Sequence, residues 1–161
     1  MTQKRDIKLT ANGLSHAVEV SDRMTLADAL RERCGLTSIN LGCEHGVCGA
    51  CTILLDGKPI RSCLMFAVQA EDKEIRTVEG LAGAADALHP MQAAFHEHHG
   101  LQCGYCTSGF LMLAVGYLEE NPDAGEAELR EILSSNLCRC TGYKNIVNAV
   151  VDAAGGMRTP C

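Results

Sequence analysis

The chain has 161 residues, of which 47% are hydrophobic and 21% are charged, and ten are cysteines. This length fits one domain or two small ones, and the composition excludes wholesale disorder. A net charge of −6 argues against nucleic acid or an anionic membrane surface as a partner. Tryptophan is absent and there are only three Phe and three Tyr, so large aromatic side chains contribute little to the core.

The first 80 residues have the pattern of short strands separated by turns. Alternating apolar residues over 7–11 predict a strand, and Asn12-Gly13 is a typical hairpin turn before the return strand. A short helix follows, with Thr25 as the predicted N-cap and Gly35 as its stop. Further strands are predicted over 52–55, 60–64 and 74–78, with Asp56-Gly57 as the turn between the first two.

The residues beyond 80 have a different character. The small residues over 80–88 indicate a linker, and the segments after them have helical spacing. Four helices are predicted: one with Pro90 at its first position, one capped by Thr107 and ended by Asn121-Pro122, one opened by a capping box at Asp123 and Glu126, and one ending near Gly155-Gly156.

Ten cysteines could form disulfides, but such frameworks belong to secreted chains. The N-terminal residues lead directly into the first strand, with no apolar stretch of signal-peptide length. No run of residues approaches the roughly 20 of a membrane span. We therefore expect a cytoplasmic chain whose reduced thiols bind metal or carry out redox chemistry.

Eight of the cysteines form two sets of four, one on each side of residue 80. In the first set, four residues separate Cys43 from Cys48, two separate Cys48 from Cys51, and Cys63 follows eleven residues later. This is the plant-type ferredoxin spacing for a [2Fe–2S] cluster, and it is specific. Three glycines would let the loop wrap a cluster closely: Gly42, Gly46 and Gly49. The alternatives are a Cys₄ zinc site and buried structural thiols.

The second set consists of Cys103 and Cys106, followed after 31 residues by Cys138 and Cys140. Each pair lies just before a predicted helix, where free N–H groups and the helix dipole favour negatively charged sulfur. A thioredoxin-like site is less consistent, because no strand leads into the helix. The spacing alone leaves both an iron–sulfur cluster and a zinc site open.

Three stretches of the chain carry a resemblance to a known family: residues 42–51, 102–106 and 136–143. They resemble the small subunit of the molybdenum hydroxylases, the xanthine oxidase family, and the match is collinear over essentially the whole chain. The resemblance implies an α+β protein with a β-grasp, plant-type ferredoxin domain over 1–80 and a four-helix bundle over 81–161. It also implies one [2Fe–2S] cluster in each domain.

The resemblance implies roles for individual residues as well. The cysteines nearest the molybdenum cofactor would be Cys103, Cys106, Cys138 and Cys140, and those nearer the flavin would be Cys43, Cys48, Cys51 and Cys63. Gln102 would hydrogen-bond the pterin, and Cys140 would lie beside it on the electron path. One position departs from the family, which usually has proline where this chain has Ser108; we expect Thr107 to cap that helix all the same.

The resemblance implies partners for the chain. Molybdopterin cytosine dinucleotide would be bound by a large subunit and FAD by a medium one, in a dimer of heterotrimers. The chain itself offers no nucleophile or acid–base pair in a plausible site, no dinucleotide fingerprint and no phosphate loop. We therefore expect an electron-transfer subunit that serves water-dependent hydroxylation of an N-heteroaromatic or aldehyde substrate. A stand-alone two-cluster ferredoxin-like carrier and a zinc-binding structural module are the alternatives.

Overall fold

A computed structural model describes residues 3–83 and 87–157 of the chain. Its five strands are β1 (Lys4–Ala11), β2 (Leu14–Ser21), β3 (Thr52–Leu55), β4 (Lys58–Arg61) and β5 (Glu74–Arg76). Its five α-helices are α1 (Leu26–Glu32), α2 (Pro90–Glu97), α3 (Thr107–Glu120), α4 (Glu126–Leu133) and α5 (Lys144–Met157). Three short 3₁₀ turns cover Ser62–Leu64, Ala67–Ala70 and Val78–Gly80.

The five strands form one mixed sheet in the order β2-β1-β5-β3-β4. Strands β1 and β5 pair in parallel, and the other neighbours are antiparallel. The predicted hairpin turn at Asn12-Gly13 is confirmed, since both residues have positive φ, 52° and 74°. Asp56-Gly57 turns β3 into β4 with the same left-handed backbone, at φ 49° and 81°.

Helix α1 packs on the sheet and completes a first hydrophobic core. Thr25 is its N-cap as predicted, because its side chain accepts a hydrogen bond from the backbone N–H of Asp28 at 3.1 Å. Leu26 and Leu30 are fully buried against Leu9 and other apolar side chains of the strands. This core lies beneath the loop that carries the first cysteines.

The other four helices build a second core. Helix α2 packs against α5, α5 against α4, and α4 against α3. Pro90 occupies the first position of α2 as predicted, and Asn121 ends α3. Leu54 of β3 belongs to this second core, so the sheet and the helices share apolar contacts. No helix in the described parts of the chain is long and apolar enough to cross a membrane.

Four details of the sequence prediction are wrong. The N-cap of α3 is Cys106, and Thr107 is already helical. The N-cap of α4 is Gly125, without a side-chain cap, so Asp123 and Glu126 form no capping box. Strand β4 ends at Arg61, because Ser62 turns back to bond the carbonyl of Cys51, and β5 ends at Arg76. Of the predicted linker, 84–86 lies outside the described residues, and Val78–Gly80 is a 3₁₀ turn.

Candidate metal centres

Three cysteines of the first set, Cys43, Cys48 and Cys51, lie on the loop that joins α1 to β3. Gly46 and Gly49 have φ values of +86° and +73°, which L side chains rarely adopt, so the predicted glycine turns are confirmed at these two positions. Gly46 also admits a close neighbour, because a Cβ there would lie 2.5 Å from Cδ1 of Leu64. The backbone N–H of Cys48 consequently points at Sγ of Cys43, at 3.3 Å.

The loop favours negative charge on one of these sulfurs. Backbone N–H groups of Cys48 and His45 donate to Cys43 and lower the pKa of its thiol to about 6. Successive backbone N–H groups that converge in this way form a binding site for anionic groups such as metal-bound sulfur.

The thiols of Cys43 and Cys48 contact each other, and those of Cys51 and Cys63 form a second contacting pair in the same site. Cys63 lies in the 3₁₀ turn after β4, not in the strand itself, and Oγ of Ser62 holds that turn to the carbonyl of Cys51 at 2.7 Å. Burial, and then the neighbouring Cys51 thiol, raise the pKa of Cys63 to about 12. Two buried thiols in contact do not both ionise unless a cation joins them.

The second set of cysteines is built from the residues before α3 and α5. Sγ of Cys140 and Sγ of Cys103 are 3.6 Å apart, and Cys106 contacts Cys138. Burial, and then the Cys138 thiol, raise the pKa of Cys106 to about 12. Thr141 donates to Sγ of Cys138 from its backbone N–H at 3.5 Å, and its hydroxyl lies 3.0 Å from the same sulfur.

Both sets are therefore arranged as two pairs of thiols. A zinc site needs four donors around one ion, whereas a [2Fe–2S] site needs two thiolates for each of two irons. Across residues 3–83 and 87–157, no three His, Cys, Asp or Glu side chains converge closely enough to hold a single ion. The donor chemistry and the pairing of the thiols fit a dinuclear cluster in each site.

The second site opens at the surface of this chain. Cys103 and Cys140 are exposed, whereas Cys138 is buried and Cys106 half-buried. Gln102 is also exposed. Within this chain, Cys106 and Cys138 are therefore the more covered pair of the second set, and Cys103 and Cys140 are the exposed pair.

The two sites are joined directly, which sequence reasoning missed. The backbone N–H of Leu137, the residue before Cys138, donates to the carbonyl of Cys48 at 2.9 Å. The side chain of Asn136, which is 1% exposed, donates to the carbonyl of Gly49 at 3.3 Å. A hydrogen bond thus links the backbone of one cysteine set to that of the other.

Ser108 and Arg61 make two more bridges between the halves. The Ser108 hydroxyl, which replaces the expected proline, donates to the carbonyl of Ser38 at 2.7 Å. The Arg61 guanidinium donates to the carbonyl of Ser135 at 3.0 Å and to the hydroxyl of Thr52. Neither bridge has a local sequence signal, because Ser38 lies 70 residues from Ser108 and Ser135 lies 74 residues from Arg61.

Comparison with known families assigns both halves. Residues 9–82 match the 2Fe-2S iron-sulfur cluster binding domain, and residues 77–151 match the [2Fe-2S] binding domain. Together with the mixed sheet and five helices, these matches define an iron–sulfur protein with a ferredoxin-like fold. Residues 9–82 contain the first cysteine set, and residues 77–151 contain the second.

The relatives give a closer assignment. The chain is 57% identical over 150 residues to the nicotine 6-hydroxylase small subunit of Paenarthrobacter nicotinovorans, covering 93% of this chain and 90% of that protein. It is 54% identical to the caffeine dehydrogenase subunit gamma of Pseudomonas sp. (strain CBB1), covering 89% and 87%. The chain belongs to the family of small iron–sulfur subunits of the molybdenum hydroxylases, as its three motifs predicted.

Solved structures agree with this assignment. The crystal structure of quinoline 2-oxidoreductase from Pseudomonas putida 86 matches with a TM-score of 0.92 and 51% identity, over 98% of both chains. The aldehyde oxidoreductase from Desulfovibrio desulfuricans ATCC 27774 matches with a TM-score of 0.90 and 42% identity. There the match covers 96% of this chain but 17% of that one, so the same fold also occurs as part of a longer chain.

Proposed function

We propose that this chain carries electrons from a molybdopterin centre on a large partner subunit to FAD on a medium partner subunit. The observation that carries the proposal is the hydrogen bond from Leu137 to Cys48, because it connects the two cysteine sets through the protein backbone. An electron path needs two such sites close together and joined. A structural module would need neither property.

Each cysteine set would hold one [2Fe–2S] cluster, which supplies one-electron transfer when bound. The proposed ligands are Cys43, Cys48, Cys51 and Cys63 in the first site, and Cys103, Cys106, Cys138 and Cys140 in the second. The chain's own contribution is to fix the thiol pairs, to donate backbone N–H groups to the sulfurs and to cover the inner pair of each set.

The two sites would work in a fixed order. The exposed edge of the second site would face the molybdenum cofactor, which we propose is molybdopterin cytosine dinucleotide. Gln102 would donate a hydrogen bond to the pterin there, and Cys140 would lie beside it, because both side chains are exposed at that edge. The first site would then pass electrons singly to FAD. Two one-electron sites in series suit a two-electron donor and a two-electron acceptor.

The reaction on the large subunit would be water-dependent hydroxylation of an N-heteroaromatic or aldehyde substrate. The names of two relatives, a nicotine 6-hydroxylase and a caffeine dehydrogenase, favour the N-heteroaromatic class. The proposed assembly is a dimer of heterotrimers. It would reside in the cytoplasm, where thiols stay reduced for iron.

Two features of the architecture are part of the same proposal. The ferredoxin-type domain would span 1–80, and the helical domain 81–161 would be a four-helix bundle formed by α2 to α5. The two separate hydrophobic cores support this division, since each lies largely on one side of residue 80. The helical domain also distinguishes the chain from a diffusible ferredoxin, which needs one cluster only.

Replacing Cys48 with serine tests the proposal. Cys48→Ser is expected to abolish one EPR signal of the dithionite-reduced protein, to halve its iron content from about four irons, and to leave the other signal intact. Cys34→Ser is the matched control, because Cys34 lies at the edge of the first core outside both sets. If both sets fed one signal, or if the purified protein held zinc, the two-cluster proposal would fail.

A second measurement separates the subunit from a free carrier. The native protein is expected to copurify with a molybdenum-containing and a flavin-containing subunit. Recovery as a lone 17 kDa species with all of the electron-transfer activity would favour the stand-alone carrier instead.

A further inference from the structure

Helix α3 meets the first cysteine loop backbone to backbone at Gly109. A Cβ at Gly109 would lie 2.2 Å from the carbonyl O of Gly49 and 3.0 Å from Cα of Ala50. Real Cβ atoms essentially never come closer than 3.0 Å to a neighbour. Because the obstacle is backbone, no side-chain rotation can relieve it, and only glycine permits this approach.

This contact lies between the two proposed cluster sites. Gly49 follows Cys48 directly, and Gly109 lies one helical turn after Cys106. Moving α3 away from the loop would therefore move a proposed ligand of the second site away from a proposed ligand of the first. A hydrogen bond from the Asn136 side chain also holds Gly49.

The Asn136 side chain closes the space on the other side of Gly49. A Cβ at Gly49 would lie 2.0 Å from Oδ1 of Asn136, so that side chain fills the space a larger residue would need. Asn136 is fully buried, and the next residue, Leu137, donates to Cys48. The loop is thus held between α3 and the segment before Cys138.

We propose that Gly109 is a positioning residue that sets the separation of the two cluster sites. This inference rests on the proposed electron-transfer function. In that step one electron leaves the second site and arrives at the first, with no bond made or broken. The probability of tunnelling falls exponentially with distance, so the backbone contact at Gly109 sets the rate of this step.

The test uses the complex that contains this chain, reduced with dithionite, and the variant Gly109→Ala. To accommodate the alanine Cβ, the backbone must move until the distance from Cβ to the carbonyl O of Gly49 increases from 2.2 Å to at least 3.0 Å. We expect the dipolar EPR coupling between the reduced sites to weaken, corresponding to a separation greater by about 1 Å, with iron and sulfide content unchanged. Intersite electron transfer after flash reduction is expected to slow.

Gly116→Ala is the matched control. It lies seven residues further along α3, two turns away, and also faces the first half of the chain. A Cβ there would meet Cδ2 of Leu54 at 2.4 Å, which is the end of a flexible side chain. Cδ of Pro59 would lie at 3.2 Å, but the nearest backbone atom of another segment, the carbonyl O of Gly57, lies at 3.6 Å, an ordinary contact. Side chains alone must therefore yield, so we expect the coupling between the sites to stay at its original value.

A second variant keeps the proposal testable if Gly109→Ala does not fold. Asn136→Ala removes the side chain behind Gly49 without adding an atom, and we expect a broader distribution of intersite distances. Unchanged coupling and distance distribution in the variants that fold would overturn the role of Gly109. Fewer than two EPR signals in the unaltered protein would instead overturn the proposed function, and this inference with it.

Discussion

A short chain of hydrogen bonds runs from the first hairpin to the loop ahead of the first cysteines. Asn12 accepts from the backbone N–H of Thr77 and donates to its hydroxyl, both at 2.9 Å. The Thr77 hydroxyl donates to the Glu79 carboxylate, which also accepts from the hydroxyl of Ser38 and, at 3.0 Å, from its backbone N–H. Ser108 then joins Ser38 to helix α3. The Glu79 carboxylate thereby joins its own segment to the loop at Ser38, and the whole chain of bonds connects the hairpin to α3.

Glu79→Gln is expected to lower the free energy of unfolding by about 1–2 kcal/mol near neutral pH, because it removes a charge-assisted acceptor. Burial raises the pKa of Glu79, but the hydrogen bonds from Ser38 and Thr77 outweigh it and hold that pKa below its usual 4.5. The stabilisation is therefore present above the unfolded pKa and is lost as the pH falls through the folded one. Denaturant unfolding of both proteins across this range checks the prediction.

Glu71→Gln provides the control for this carboxylate. Glu71 is exposed and lies before β5, on the connection from β4, outside the hydrogen-bonded chain around Glu79, so its replacement is expected to change stability little at any of these pH values. A difference between wild type and Glu79→Gln that stayed constant down to acid pH would contradict the assigned pKa.

Single elements followed the sequence closely where a local rule governs them. Asn12-Gly13 turns, Thr25 caps and Pro90 begins a helix as predicted, because each acts through neighbouring backbone. The cap of α3 was predicted wrongly because Thr107 uses no side-chain cap, and the backbone before it is held by the turn through Gly104. Local sequence patterns predict the end of a helix or strand least well where contacts with distant residues hold the backbone.

Helix α1 is only seven residues long, and its stability depends on its N-cap. The Thr25 hydroxyl accepts from the backbone N–H of Asp28 and donates to its carboxylate at 2.7 Å. Thr25→Ala is expected to cost about 1 kcal/mol in the free energy of unfolding, whereas Thr25→Ser keeps the cap and most of the stability. Thermal unfolding of both variants distinguishes them, and equal losses would show that the methyl group matters instead.

The relation between the two halves was beyond sequence reasoning. The cysteine spacing predicted two sets of four, and the structure brings each set together as two pairs. Nothing in the sequence indicated that Arg61 would donate a hydrogen bond to Ser135, or that Arg76 would form an ion pair with Glu119 at 2.5 Å. Such contacts arise only when separate segments fold against each other, and no local pattern encodes them.

Removal of iron is expected to destabilise the whole molecule. The proposed ligands come from segments far apart, such as Cys106 and Cys138, so ligation contributes directly to folding. We expect Tm to fall by about 10 °C or more on anaerobic chelation, the shift that roughly 4 kcal/mol produces in a chain of this size. Calorimetry of the holo and chelated proteins measures it. An unchanged Tm would mean that the two cores hold the fold without ligation.

The close approach of Gly109 to Gly49 also bears on how such a protein can be inherited. Each half presents a surface shaped for the other, and a half transferred alone would lose its partner backbone. We therefore expect recombination that separates the halves to be disfavoured, whereas fusion of the intact pair to another chain leaves the contact untouched. The unit that we expect evolution to move is the pair, whether it is encoded as a separate subunit or as part of a longer chain.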